Sequence, residues 1–209
     1  MNASETTLTI KDTTGNPAPI GLLGFGMTTV LLNLHNAGLY ELNSMIIGMG
    51  IFTGGIMQVI AGIQEWKKNN TFGATAFTAY GSFWITLVAI WMLPKTSFGT
   101  DFKSDEISMG WFLLMWGVFT AFMFVATLRL SKALQIVFGS LVILFLLLAI
   151  GDFTGIKSIK VIAGIEGIFC GLSAIYTCAA QILNEVYGKS ILPIGVVNGK
   201  KDSLPNQTS

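Results

Sequence analysis

LVILFLLLAI, residues 141–150, is an unbroken apolar run. A membrane-crossing β-strand alternates polar and apolar positions over about 10 residues, and this run does not alternate. It lies inside a charge-free interval, residues 133–151, of 19 residues. A helix needs about 20 residues to cross a bilayer. Length and uniform hydrophobicity therefore read as a transmembrane helix, which satisfies its own backbone in lipid.

The same signal recurs outward from this run. Charge-free intervals cover residues 13–40, 42–64, 69–94 and 107–128, and a last hydrophobic region, 161–184, is interrupted only by Glu166. Six spans are predicted, near residues 20–34, 45–63, 72–92, 109–128, 134–149 and 159–183. The fold class is all-α: a polytopic integral membrane protein with six transmembrane helices. Its expected organisation is an N-terminal cytoplasmic segment (1–19), a transmembrane domain (20–184) and a C-terminal cytoplasmic tail (185–209). The first span is short and glycine-rich. It starts too late, and lacks the basic lead, for a signal peptide. Gly151 and Asp152 are expected to close the fifth span, and the polar tail beyond Pro193 to be mobile.

Composition narrows the function classes. The chain is 52% hydrophobic and 11% charged, with mean hydropathy +0.68, against roughly 25% charge in soluble domains. A net charge of +1 provides no basic field for nucleic acid. Arg129 is the single arginine, which excludes a voltage sensor, and His35 is the single histidine, which excludes a multi-histidine metal site. Cys170 and Cys178 match no zinc or CxxC spacing. No nucleophile–base pair or acid cluster suggests an enzyme, and no cofactor is implied.

Eight of the 12 basic residues, Lys11, Lys67, Lys68, Arg129, Lys132, Lys189, Lys200 and Lys201, share one side if the N-terminus is cytoplasmic. The positive-inside bias then places both termini in the cytoplasm of a cell-membrane protein. Asn36, Glu41 and Asp152 fall on the outer side. Trp66, Phe72, Trp84, Trp91 and Trp111 are expected near span ends, where aromatic belts form.

Polar groups inside the spans are few. They include Thr28, Thr29, Asn33 and Asn36 in the first, Gln58 in the second, Tyr80 in the third, and Glu166 and Tyr176 in the sixth. Each could bond a neighbouring helix or face a solute pathway; Glu166 is the protonatable one, and so the candidate for proton coupling. Gly50/Gly54 and Gly167/Gly171 have GxxxG spacing, which suits close helix packing or a narrow pore wall. A ring of bulky apolar groups with one hydroxyl can narrow a pore to a dewetted neck, but pattern alone does not pick such a ring from 15 phenylalanines.

The run NPAPIGLLGFGMTTVLLNLHNAG (16–38) resembles the signature of the acetate uptake transporter family. The similarity continues through MGIFTGGIMQVIAGIQEWKKNNTFGATAFTAYGSFW (49–84), WGVFTAFMF (116–124), LLLAIGD (146–152), CGLSAIY (170–176) and LPIG (192–195). The resemblance implies a six-span carrier of acetate and, in some members, succinate, assembled as a homo-hexamer in membrane lipid with one pore per protomer. It implies a hydrophobic constriction of Phe25, Tyr80 and Leu141, with the Tyr80 hydroxyl steering the carboxylate, and a selectivity position at Ala174. Thr28, Thr29, Asn33, Asn36 and Tyr176 are the remaining candidates for the pathway. Gly139 stands where the family often has Phe, and Gly151-Asp152 where it often has Gly-Asn, adding a negative charge near the outer mouth. The expected function is transport of acetate with a proton. A passive acetate channel, or a channel for a small neutral solute such as urea or ammonia, is the alternative.

Overall fold

A computed structural model describes residues 14–197; the expectations for residues 1–13 and 198–209 lie outside the described residues. Helix α1 is Ala18–Asn36. The second crossing, Ser44–Lys67, is composite: α2 (Ser44–Gly48), a π-helical segment (Met49–Met57) and α3 (Gln58–Lys67). Then follow α4 (Thr71–Met92), a 3₁₀ turn (Leu93–Lys95), α5 (Glu106–Thr127), α6 (Lys132–Thr154) and α7 (Lys157–Tyr187). Among the described residues six helical stretches are long and apolar enough to cross a membrane, and no strand forms beyond one isolated bridge. The all-α reading holds, and each predicted span lies on one of the six.

Several helix ends follow from local chemistry. The Asp105 side chain accepts from the Ser108 amide at 2.6 Å, and the Ser108 hydroxyl accepts from the Asp105 amide at 3.1 Å. This reciprocal capping box starts α5. The bond from the Ser108 amide is the leading cause that holds the Asp105 carboxyl below the usual carboxylate range. Asn70 caps α4 by accepting from the Gly73 amide. Helix α6 outruns its predicted end: Gly151 is internal, packed under Lys160, and the stop comes at Gly155, whose φ of +67° suits a residue without Cβ. The second crossing departs most from expectation, because its middle is π-helical rather than α-helical. That segment is glycine-rich, and Gly50, Gly54 and Gly55 are buried in it.

Packing places α1 between α7 and the second crossing, while α5 packs chiefly on α6 and only lightly on α4. Gly26 and Gly171 meet backbone to backbone: a Cβ on Gly171 would lie 2.7 Å from the Gly26 carbonyl oxygen. Gly54 accepts the Trp84 ring and the Thr28 side chain. Both GxxxG pairs are thus helix-packing surfaces. Trp84 is buried on Gly54 in the middle of α4, not at a belt position, because the glycine leaves a notch for its indole; Trp66 and Trp111 stay exposed.

One end of the bundle gathers Thr14, whose carbonyl accepts from Lys68, and the α5–α6 turn, which meets the C-terminal segment. There the first amides of α6, on Lys132 and Ala133, donate to Gly195 and Ile194, and the Val197 amide donates to Leu130. Asn184 receives the amides of Ile191 and Leu192. Residues 194–197 therefore form a hydrogen-bonded clasp, at the start of the tail expected to be mobile; residues 198–209 of that tail lie outside the described residues. The α6 amides need acceptors that its own helix cannot supply.

Candidate functional site

Phe25 from α1, Tyr80 from α4 and Leu141 from α6 line one cavity near the middle of the bundle, together with Leu22, Phe77, Phe138 and Gln58. All three are buried. The cavity measures about 20 Å³, enough for roughly one water molecule. A solute of four heavy atoms, the size of acetate, would not fit unless these side chains shifted. The Phe25 and Tyr80 ring centroids are 5.8 Å apart. Phe138 and Phe119 stand edge-on to Tyr80 at 6.0 and 5.5 Å, so aromatic packing holds the Tyr80 ring from α5 and α6.

The Tyr80 hydroxyl is already committed. It lies 2.9 Å from Thr120 Oγ1. Thr120 Oγ1 donates its own proton to the Trp116 carbonyl at 2.7 Å. A hydroxyl has one proton, so Tyr80 donates and Thr120 accepts. In this arrangement the phenol has no proton left for a carboxylate, and the expected steering role falls to another group.

Gln58 is the other polar side chain among the residues lining the cavity. It sits at the junction where the π-helical segment gives way to α3. Its side chain is 1% exposed, yet neither Nε2 nor Oε1 has a hydrogen-bond partner among the described residues. A buried polar group left unbonded costs about 1–3 kcal/mol, so a burial this complete is unusual for an amide. An amide carries two donors and an acceptor. It can grip a carboxylate through its N–H groups and a carboxylic acid through both ends. The sequence marks Gln58 only as one polar residue among several. Its distinguishing property, a lack of partners, is set by the neighbours and not by spacing.

The other predicted residues lie elsewhere and do not line this cavity. Thr28 is fully buried on Gly54 and donates to the Met49 carbonyl at 3.4 Å. Thr29 is buried, and its Oγ1 has no hydrogen-bond partner among the described residues. Asn33 donates to the Thr29 carbonyl, accepts from Asn36, and fills the notch over Gly167. Ala174 is fully buried in α7. Tyr176 faces a separate groove near the C-terminal segment, where its hydroxyl donates to the Pro193 carbonyl. Glu166 is half-buried, with Oε2 enclosed and unpartnered among the described residues.

The two ends of the bundle differ in chemistry. Asp152 does not present a bare negative charge: Lys160 Nζ lies 2.7 Å from it and 3.6 Å from Glu106. At the opposite end the Asn16 side chain accepts from the Ala18 amide at 3.0 Å and reaches Gln181 of α7 at 3.4 Å. The NPAP run thus starts α1 and ties it to α7.

Comparison with known proteins agrees with this architecture. A solved structure described as that of the bacterial acetate channel SatP superposes with a TM-score of 0.86 at 54% identity, over 88% of this chain and 100% of that one. The succinate-acetate/proton symporter SatP of Escherichia coli (strain K12) is 56% identical over 180 residues, 86% of this chain and 95% of its own length. The ammonia transport outward protein 2 of Saccharomyces cerevisiae is 35% identical over 173 residues, 80% of this chain but 61% of that longer protein. The resemblance read from the sequence is borne out: the profile of the GPR1/FUN34/yaaH family matches residues 2–194, and the chain belongs to that family.

Proposed function

We propose that this protein carries acetate, and with it other small carboxylates such as succinate, across the cell membrane together with a proton. The observation that carries the reading is Gln58: a buried amide with no partner among the described residues, set in an otherwise apolar neck of Phe25, Tyr80 and Leu141. The apolar wall suits a methyl group and disfavours bulk water, and the amide suits the carboxyl end. Among the described residues no lysine or arginine lines the neck. A fixed cation there would hold the anion too firmly for rapid passage.

Six copies, each with its own pore, form the assembly, with both termini in the cytoplasm. Phe25 and Leu141 set the width of the neck, Ala174 tunes the acid chosen, and Glu166 exchanges the coupled proton. Thr28, Thr29, Asn33 and Asn36 shape the pathway by fixing α1 against its neighbours, and Tyr176 does so by holding the C-terminal clasp. The relationship to a protein named as a succinate-acetate/proton symporter supports the substrate and the coupling. The yeast relative's name favours a second reading, a pathway for ammonia.

Proteoliposomes separate the two. Labelled acetate is expected to accumulate under a pH gradient with the membrane potential clamped at zero, after subtraction of lipid leak, while ammonia and urea fluxes stay at the liposome background. Glu166→Gln is expected to remove that accumulation and leave acetate exchange intact. Ammonia flux without acetate flux would replace the first reading with the second. Acetate current that follows the potential and ignores pH would reduce the carrier to an anion channel.

A further inference from the structure

Helix α5 lines no part of the neck cavity and packs only lightly on α4. It reaches the neck through Tyr80, which meets the Trp116 and Phe119 rings and the hydroxyl of Thr120. Thr120 is fully buried in the membrane-spanning part of α5. Its proton is spent on the Trp116 carbonyl one turn back, an ordinary use of threonine inside a helix. That back-bond orients the oxygen, leaving a lone pair as the acceptor for Tyr80. Aromatic contacts locate the ring in its plane of packing, but the hydroxyl is anchored by this one bond.

We propose that Thr120 is a positioning residue for acid selection: by holding the Tyr80 hydroxyl on α5, it sets how far the ring stands between Phe25 and Leu141 and keeps the phenol from occupying Gln58. This rests on the reading of that cavity as the transport neck. Without the Thr120 acceptor, the buried phenol has to find another. Gln58 lines the same cavity, and its Oε1 is buried without a partner among the described residues; it is the replacement acceptor in this proposal. A Tyr80–Gln58 bond would draw the ring across the neck and withdraw the amide from the substrate. The preference between a small and a bulkier acid then changes without any change in a cavity-lining residue.

The test is acid flux in proteoliposomes, acetate against lactate, for the full chain. Thr120→Val keeps the volume and removes the acceptor; Thr120→Ala removes both; Thr120→Ser keeps the acceptor. Val and Ala are expected to lower acetate flux and shift the acetate-to-lactate ratio by about five- to tenfold, the scale of one hydrogen bond, and Ser to restore both. In a Tyr80→Phe background, Thr120→Val should have no further effect, because the group it anchors is gone. An unchanged ratio in Val and Ala overturns the inference, as does an equal shift in the Tyr80→Phe background, which would mark Thr120 as a packing residue. Leu141→Ala run alongside separates two failures. A shift with Leu141→Ala but not with the Thr120 variants ends this inference alone, whereas no shift with either ends the neck reading as well.

Discussion

Helix α1 makes two glycine seams of the same spacing and opposite character. Against α7, Gly26 and Gly171 bring two regular helices into backbone contact, and Asn33 over Gly167 has its amide bonded on both sides. Against the second crossing, Gly24 meets the Thr53 carbonyl and Gly54 receives Trp84 and Thr28, but the partner is π-helical. On that side Trp84 Nε1 and both ends of the Gln58 amide are buried without partners among the described residues. The α7 seam is closed; the π-helical seam is left short of hydrogen bonds among the described residues and borders the proposed neck. A GxxxG pair therefore signals close approach and says nothing of which kind. π-helical irregularities often lie at functional sites.

The contrast can be broken most severely on the sealed side. Gly171→Leu must push its side chain into the Gly26 carbonyl and the Val30 backbone, atoms that can move only with their helices. Overpacking by even a few carbons costs about 1–3 kcal/mol. We expect loss of most folded protein, read as the monodisperse yield from detergent chromatography. Gly54→Ala meets side chains of Trp84 and Thr28 instead, and should fold in better yield while disturbing transport.

Gln58→Leu probes the open side. It removes a buried amide without removing volume, so the melting temperature in detergent should hold or rise. Acetate flux should fall about 10- to 100-fold, the worth of a hydrogen bond to a charged group. A falling melting temperature with intact flux would make Gln58 a structural residue and erase the difference between the seams.

Leu141→Ala acts across the neck from that amide. The widened wall should raise the rate of lactate or propionate relative to acetate by about tenfold, as steric pockets discriminate by size. Competition of unlabelled acids against labelled acetate measures it.

The smallest effect lies outside both seams, at the Asp105 cap of α5. Its carboxyl sits below the ordinary range because the Ser108 amide and hydroxyl bond it. A group whose folded-state value is depressed stabilises the fold above its unfolded value, near 3.9, and loses that contribution as pH falls through the folded value. Asp105→Asn should therefore flatten any change in melting temperature below about pH 4 and leave transport at neutral pH unchanged.

Sequence alone reaches the six crossings because charge is excluded from lipid and the gaps between charged residues mark the spans. It reaches Phe25, Tyr80 and Leu141 only through resemblance. In a lipid-facing helix every side is apolar, so periodicity does not reveal which face turns inward. Trp84 shows this: its type suggests an interface, while the notch over Gly54 buries it. The π-helical turns at Met49–Met57 leave no pattern beyond their glycines. The unpartnered state of Gln58 and the donor direction between Tyr80 and Thr120 depend on groups brought together from different helices.

The clasp at residues 194–197 has a consequence for how the chain is made. Helix α6 begins at Lys132, yet two of its first amides are held by Ile194 and Gly195, about sixty residues later. At about 5–20 residues per second of synthesis, α6 waits roughly 3–12 s for its acceptors, its exposed amides held by water at the membrane surface meanwhile. A nascent chain that stops short of residue 194 would contain all six crossings and still be unfinished. Completion of the bundle is thereby tied to synthesis of residues 194–197, so a stop placed just before residue 194 should produce a protein that inserts fully and is cleared quickly.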